Sequence, residues 1–454
     1  MAGLVAIRTA EPDARLAERI AWSLRADASP IASPDRFDAW YRRQRETIRQ
    51  RVDRVPLREL DRWQTAPGTG DLVHDTGRFF AVRGLSVRSD YGPVPAWQQP
   101  ILSQPEIGIL GLLLRDVGGV LHCLVQAKAE PGNANGVQLS PTVQATRSNY
   151  SRVHGGTPVP YLDLFRHADG HRVVADTLQS EQGSWFYRKR NRNMLVETAD
   201  EVPVRDRFHW LTLGQLHRLL AVDDLVNMDT RTVLSCLPGL PPAVSAHPDR
   251  ALLSWITGRR AGHELHTELV GLAGLDGWRR TDDAVEHVQG RHFRIVGVRV
   301  AAGSREVARW SQPLLQPCGT GVAAMLMTRI AGVPHVLVHA RVEPGFRDVV
   351  ELGPTVQAIP DDRASPPRYL GEALTAAPDR IRYDTVLSEE GGRFRNARTR
   401  YLVVEVEHDR LGPEPDSHRW VTLPQLAELV RYGYVNVQAR TLLAALRALR
   451  GDDE

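Results

Sequence analysis

The chain carries 57 basic residues, and only two of them are lysine, Lys128 and Lys189. A strong arginine bias fits a GC-rich coding sequence. A lysine kept under such a bias is a candidate for chemistry, because an ammonium can lose its proton when buried and a guanidinium effectively cannot. Lys128 closes an apolar run, LHCLVQAKAEPG, and Glu130 follows it before Pro-Gly. Lys189 lies in Trp185-Phe186-Tyr187-Arg188-Lys189-Arg190, where aromatics stand beside cations. Rings can stack on a base and guanidinium forks can grip a diphosphate, so this stretch suits a nucleotide. A solvated basic loop would have the same composition. Beyond Gln144 come Arg147, Asn149, Tyr150 and His154. Tyrosine, histidine and lysine are groups that move protons.

These residues stand in a chain that contains itself twice. LHCLVQAKAEPGNANGVQLSPTVQA (121–145) returns as PHVLVHARVEPGFRDVVELGPTVQA (334–358), with His122, Glu130, Pro141 and Gln144 matching His335, Glu343, Pro354 and Gln357. Ser180-Glu181-x-Gly183 returns as Ser388-Glu389-x-Gly391, and Asn227…Arg231-Thr232 as Asn436…Arg440-Thr441. The units are placed at 34–237 and 248–446, each of normal domain size. Residues 1–33 read as a helical extension, 238–247 (PGLPPAVSAH) as a Pro-rich linker and 447–454 as a tail. Shared residues suit a common scaffold or ligand. Residues of one half only are candidates for chemistry done by that half. Lys128 faces Arg341, Lys189 faces Ala397, and the Tyr150 stretch faces a Pro-rich loop.

Composition excludes several classes. Net charge is +3 and no basic run is interleaved with stacking aromatics in the manner of a nucleic-acid surface. No apolar stretch is long enough for a membrane span, and residues 1–16 lack a secretory core. Cys123, Cys236 and Cys318 do not match between halves and read as reduced thiols of a cytoplasmic protein. There is no P-loop, G-x-G-x-x-G, H-E-x-x-H or G-x-S-x-G. The chain therefore advertises no cofactor, no metal and no serine nucleophile.

The elements that must position these residues are legible in outline. Helical spacing covers 12–26 and 35–52. Strands are expected at Phe79–Val87, Ile109–Leu114 and Val120–Ala127, the last two joined through Asp116-Val117-Gly118-Gly119. Their repeats are Val322–Arg329 and Val333–Ala340 around Ala331-Gly332. Arg192–Glu197 and Arg400–Glu405 add strands. Leu213–Ala221 and Leu423–Val430 read as helices entered through a threonine, and ARTLLAALRALR as a C-terminal helix. Strands followed by helices within one unit predict an α+β fold with a mixed sheet.

Taken together, LVQAKAEPG…QLSPTVQATRSNY, LQSEQGSWFYRKRNRN, REVARWSQPLL, VELGPTVQ, RYDTVLSEEGGRF and YVNVQARTLL resemble the NDP-hexose 2,3-dehydratases of deoxysugar biosynthesis. The resemblance implies two Nudix-like modules, a homodimer, two nucleotide-sugar pockets and chemistry in one of them. It implies a dTDP-4-keto-6-deoxyhexose substrate, loss of the C2 hydroxyl without a cofactor, and a downstream sugar 3-ketoreductase. On that reading Lys128 serves the C4 oxygen or tunes a neighbour. Tyr150 and Glu181 are the acid and base candidates, with His154 in reserve. Arg147, Asn149, Trp185, Arg188, Lys189, Arg190 and Arg231 would hold the substrate, and Arg341, Glu389, Arg393 and Arg440 would line the second pocket. A metal-dependent Nudix-like nucleotide-sugar hydrolase and a non-catalytic nucleotide-sugar binder are the alternatives.

Overall fold

Two apolar hairpins organise the fold. The computed structural model describes residues 14–146, 158–303, 308–358 and 366–449. Gly108–Val117 and Val120–Ala129 pair through Gly118 and Gly119, whose φ angles are +64° and +83°. Positive φ at both central positions gives a turn whose twist matches the strands. Gly321–Ile330 and Val333–Val342 repeat it around Ala331 (+49°) and Gly332 (+79°).

Each hairpin is the middle of a seven-stranded mixed sheet. Gly108–Val117 also runs parallel to Arg190–Glu197, which pairs antiparallel with Arg172–Ser180. Gly321–Ile330, Arg398–Glu405 and Ile381–Ser388 do the same in the second half. Both faces of the central strands are covered, so Ile109–Leu114 is buried throughout instead of alternating. Thr212 and Thr422 start helices Leu213–Arg218 and Leu423–Arg431 with complete capping boxes through Gln215 and Gln425. Helices Met228–Ser235 and Val437–Leu449 pack against each other across the halves. One apolar core runs from Leu112, Leu139 and Val233 to Val338, Leu352 and Leu442. The fold is α+β, built from two copies of one mixed-sheet unit.

The copies exchange strands. Gln50–Val55 leaves its own half and pairs along Phe293–Ala302 of the second. Leu265–Val270 pairs along Ala81–Ser89 of the first. The helical reading of 35–52 therefore ran too far, because helix Pro34–Thr47 ends before the exchanged strand begins. QRVDRV is short and polar, and the partner that makes it a strand lies in the other half, beyond any local pattern. Residues 238–247 form neither helix nor strand, and Gln425 Nε2 holds them through Ser245 Oγ and His247 O. Among the described residues no helix is long and apolar enough to cross a membrane.

Candidate active site

The strand end of each half receives a turn from the other. Gly132 N donates to Gly391 O, and Gly345 N to Gly183 O, both at 2.7 Å. A Cβ at Gly132 would lie 1.7 Å from Phe394 O, and one at Gly345 1.8 Å from Phe186 O. Only glycine permits such backbone approach. Glu390–Arg393 therefore borders Lys128 and Glu130 of the first half, while the turn containing Gly183 and Ser184 borders Arg341 and Glu343 of the second.

This crossing corrects several expectations. Arg188 N donates to Gly345 O at 2.8 Å, and its exposed guanidinium lies 5.0 Å from the Tyr187 ring. Arg190 Nη2 bonds Asp348 at 2.6 Å. Both stand beside the second half's strand end, not the first pocket. Arg393, assigned to the second pocket, lies on the first half's side. Its Nε donates to Gln104 Oε1 at 3.1 Å and its guanidinium sits 4.3 Å from the Phe80 ring. Trp185 packs edge-on against Phe394 at 4.7 Å.

At the first half's strand end Lys128 Nζ lies 2.7 Å from Glu130 Oε1, with side chains 22% and 11% exposed. Glu390 Oε1 accepts from Gly392 N at 2.9 Å. A Cβ at Gly392 would meet Glu390 Oε1 at 2.4 Å and Glu130 Oε2 at 3.5 Å, so both carboxyl groups border the same glycine. Asp229 is buried in the first turn of helix Met228–Ser235. Burial first, then Glu390 and Glu181, hold its carboxyl well above the usual range. Burial and Glu130 raise Glu390 also, against Arg393 and Lys128. Gln144 Oε1 accepts from Ser140 Oγ at 3.1 Å and Asn227 Nδ2 at 3.5 Å. One ammonium among carboxyl groups whose pKa values are raised by burial and by one another is suited to proton transfer.

The second half's strand end is saturated by its own side chains. Glu343 is 2% exposed. Its Oε1 accepts from Arg341 Nε (2.7 Å) and Gln357 Nε2 (2.8 Å), and its Oε2 from Ser184 N (3.0 Å). Asn436 Nδ2 closes the set on Gln357 Oε1 at 2.8 Å. Glu389 is buried and accepts from Thr399 Oγ1, Tyr401 OH and Gln182 Nε2 at 2.7, 2.9 and 2.7 Å. Arg440 is likewise enclosed, on Thr232, Val435 O and Ser180 O. Of Arg341, Glu389, Arg393 and Arg440, Arg341 alone bonds Glu343.

Two first-half assignments also change. Arg231 is fully buried, with each of its three nitrogens bonded inside the protein to Thr441, Val226 O or Ser388 O, so its guanidinium is out of reach of a diphosphate. Lys189 is 5% exposed and its Nζ donates to Glu106 O, with burial lowering its pKa. Glu181 is 5% exposed and sits behind the pocket. Its Oε1 accepts from Asn191 Nδ2 at 2.5 Å. Arg147, Asn149, Tyr150 and His154 lie outside the described residues. Sequence reasoning passed over Asp229 and Glu390 and left Glu130 without a role. The signal was in the repeat: Asp229 faces Gln438, and Glu390 faces Gln182.

The NDP-hexose 2,3-dehydratase family model matches residues 35–237 and again 249–446. The chain belongs to this family. It is 47% identical to a dTDP-4-dehydro-6-deoxy-alpha-D-glucopyranose 2,3-dehydratase from Saccharopolyspora spinosa, over 88% of each chain. Proteins of the same description from Amycolatopsis orientalis (47%, 95% of this chain and 94% of that one) and Streptomyces violaceoruber (49%, 91% and 97%) are equally similar family members. Among solved structures, an Ap4A hydrolase from C. elegans aligns at 13% identity over 28% of this chain and 98% of its own, with a TM-score of 0.20. An ADP compounds hydrolase aligns at 19% over 38% and 95%, with a TM-score of 0.25.

Proposed function

We propose that this chain removes the C2 hydroxyl of a dTDP-4-keto-6-deoxyhexose, giving the 3,4-diketo-2,6-dideoxy sugar, and does so in the first half's pocket. Family membership supports the reaction. The observation that carries the choice of half is the difference between two mirrored pairs: Lys128–Glu130 joins an ammonium to a carboxyl 11% exposed, whereas Arg341–Glu343 joins a guanidinium to a carboxyl 2% exposed that also accepts from Gln357 and Ser184.

The chemistry follows from the ketone. The C4 carbonyl acidifies the C3 hydrogen. Glu130 takes that proton, in place of Glu181, which is buried behind it. Lys128 Nζ lies 2.7 Å from Glu130 Oε1 and has further ammonium hydrogens for the negative charge growing on the C4 oxygen. A preorganised donor of this type typically contributes about 3–4 kcal/mol. The C2 hydroxyl, β to the ketone, then leaves as water, and the enol tautomerises with a solvent proton entering C2. Arg147 and Asn149 remain proposed substrate contacts, joined by Arg393 from the other half, and Tyr150 and His154, acid–base candidates in the sequence, are reassigned to substrate contact. A homodimer, a cytoplasmic setting and a following sugar 3-ketoreductase complete the reading.

The test is incubation with dTDP-4-keto-6-deoxyglucose in deuterated water, with chelator present, coupled to a 3-ketoreductase and read by mass spectrometry. A dTDP-2,6-dideoxy-4-keto sugar with deuterium at C2 is the expected product. Nucleoside monophosphate appearing only when magnesium is added would instead mark a hydrolase, and unchanged sugar a binder.

A further inference from the structure

The carboxyl groups of Glu181 and Glu389 occupy equivalent places in the two halves but meet opposite company. Glu389 is satisfied by three donors, one of which is Gln182 reaching across from the first half. The mirrored donors are absent around Glu181. Asn191 replaces Thr399 and bonds one oxygen. Asn193 replaces Tyr401 and turns its amide to Asn191 O. Where Gln182 donates to Glu389, its counterpart in the repeat is a carboxyl, Glu390. Glu181 Oε2 is buried without a hydrogen-bond partner among the described residues. Burial first, then Glu390, oppose the ionisation of Glu181, against Lys189, Arg440 and Asn191. Two buried carboxyl groups near each other resist ionising together, and protonation of one relieves the conflict.

We propose that Glu390, contributed by the second half, is the general acid of the first half's site, backed by Glu181 as a positioning residue whose buried carboxyl opposes a second negative charge near it. This assignment rests on the dehydratase reading above. The step balances. Glu130 takes the C3 proton and the C3–H electron pair passes into the enediolate of the C4 ketone. The C2–O bond then breaks with its electron pair on oxygen, and the Glu390 hydrogen joins it to leave as water. A C2=C3 double bond forms and the C4 carbonyl is restored. Glu130 ends protonated and Glu390 ionised. Both border Gly392, so the proton can return from one to the other before the next cycle.

Glu390→Gln separates the two halves of this step. The mirrored position is already glutamine, and the new amide can bond Glu181 Oε2, so the variant should fold with an unchanged or higher Tm. The expected result is a 10²–10³-fold loss of elimination, on the scale typical of about 10²–10⁴ for general acid–base catalysis. KM should stay within a few-fold. Substrate recovered from deuterated water should still acquire deuterium at C3, because the base is intact. Glu181→Gln, whose amide would hold Glu390 as a carboxylate, should show the same split. Elimination by Glu390→Gln within about tenfold of the unaltered protein would overturn the assignment, as would loss of C3 exchange together with elimination. If the unaltered protein neither eliminates water nor exchanges C3, the dehydratase reading itself fails, and the assignment with it.

Discussion

Arg231 and Arg440 are mirror images that each close the other half. Arg231 Nη2 donates to Ser388 O at 2.7 Å, and Arg440 Nη2 to Ser180 O at 2.6 Å. Each also caps its own half at Val226 O or Val435 O, and reaches a threonine on the opposite helix. The two guanidinium groups thus fix the turns that carry Glu181 and Glu389. Replacing either by methionine leaves two buried carbonyls without donors, at about 1–3 kcal/mol each. Chemical denaturation of Arg231→Met and Arg440→Met should show comparable losses. A purely ligand-binding arginine would instead raise KM and leave the midpoint alone.

The strand exchange predicts that neither half folds by itself. Gln50–Val55 and Leu265–Val270 find their ladders only in the opposite half, and the main core is shared. Fragments 1–243 and 244–454 produced separately should lack a cooperative unfolding transition, and their co-expression should restore one. A cooperative transition in the isolated first fragment would contradict this.

Lys128→Arg makes the first pocket resemble the second at that position. A guanidinium is bulkier, reaches its carboxylate through Nε as Arg341 does at Glu343, and cannot present the same compact donor. Turnover should fall about 10²–10³-fold, the loss typical of one removed oxyanion donor. Steady-state kinetics with little change in Tm is the check.

Glu351 supplies a pH-dependent term in stability. It is 1% exposed, its Oε2 accepts from Ser180 Oγ at 2.5 Å, and its Oε1 is buried without a hydrogen-bond partner among the described residues. Burial pushes its pKa up to about 7, against Ser180 and Arg440. Unfolded glutamate ionises near about 4.3. The folded state therefore holds this proton more tightly. The contribution is whole below about pH 4.3, falls as pH rises toward 7, and is lost above. Glu351→Gln, matching Gln138 in the first half, should remove that slope and gain on the order of 1–3 kcal/mol over the native chain at pH 8 relative to pH 4. Urea denaturation at both pH values measures it; a parallel slope in the two proteins would refute it.

The sequence carried the fold further than the site. Hairpins with Gly118-Gly119 and Ala331-Gly332, and helices after Thr212 and Thr422, are local signals, and they stand where the pattern puts them. The strand Gln50–Val55 was illegible because its partner is over two hundred residues away. Lys128 was found by rarity. Arg188 and Arg190 were misplaced because adjacency in the chain was taken for adjacency in space, and the crossing of the turns reverses it. Asp229 and Glu390 were within reach, since comparing the halves shows each facing a glutamine; an isolated carboxylate on a helix or turn carries no other mark.

The central claim is that one of two mirrored pockets does the chemistry. The most direct measurement is kcat for Glu130→Gln and Glu343→Gln side by side, on dTDP-4-keto-6-deoxyglucose well below either Tm, with C3 deuterium exchange followed in parallel. Glu130→Gln should lose both elimination and exchange by at least about 10²-fold, and Glu343→Gln should retain turnover within a few-fold. Equal losses in the two variants, or a larger loss in Glu343→Gln, would contradict the account.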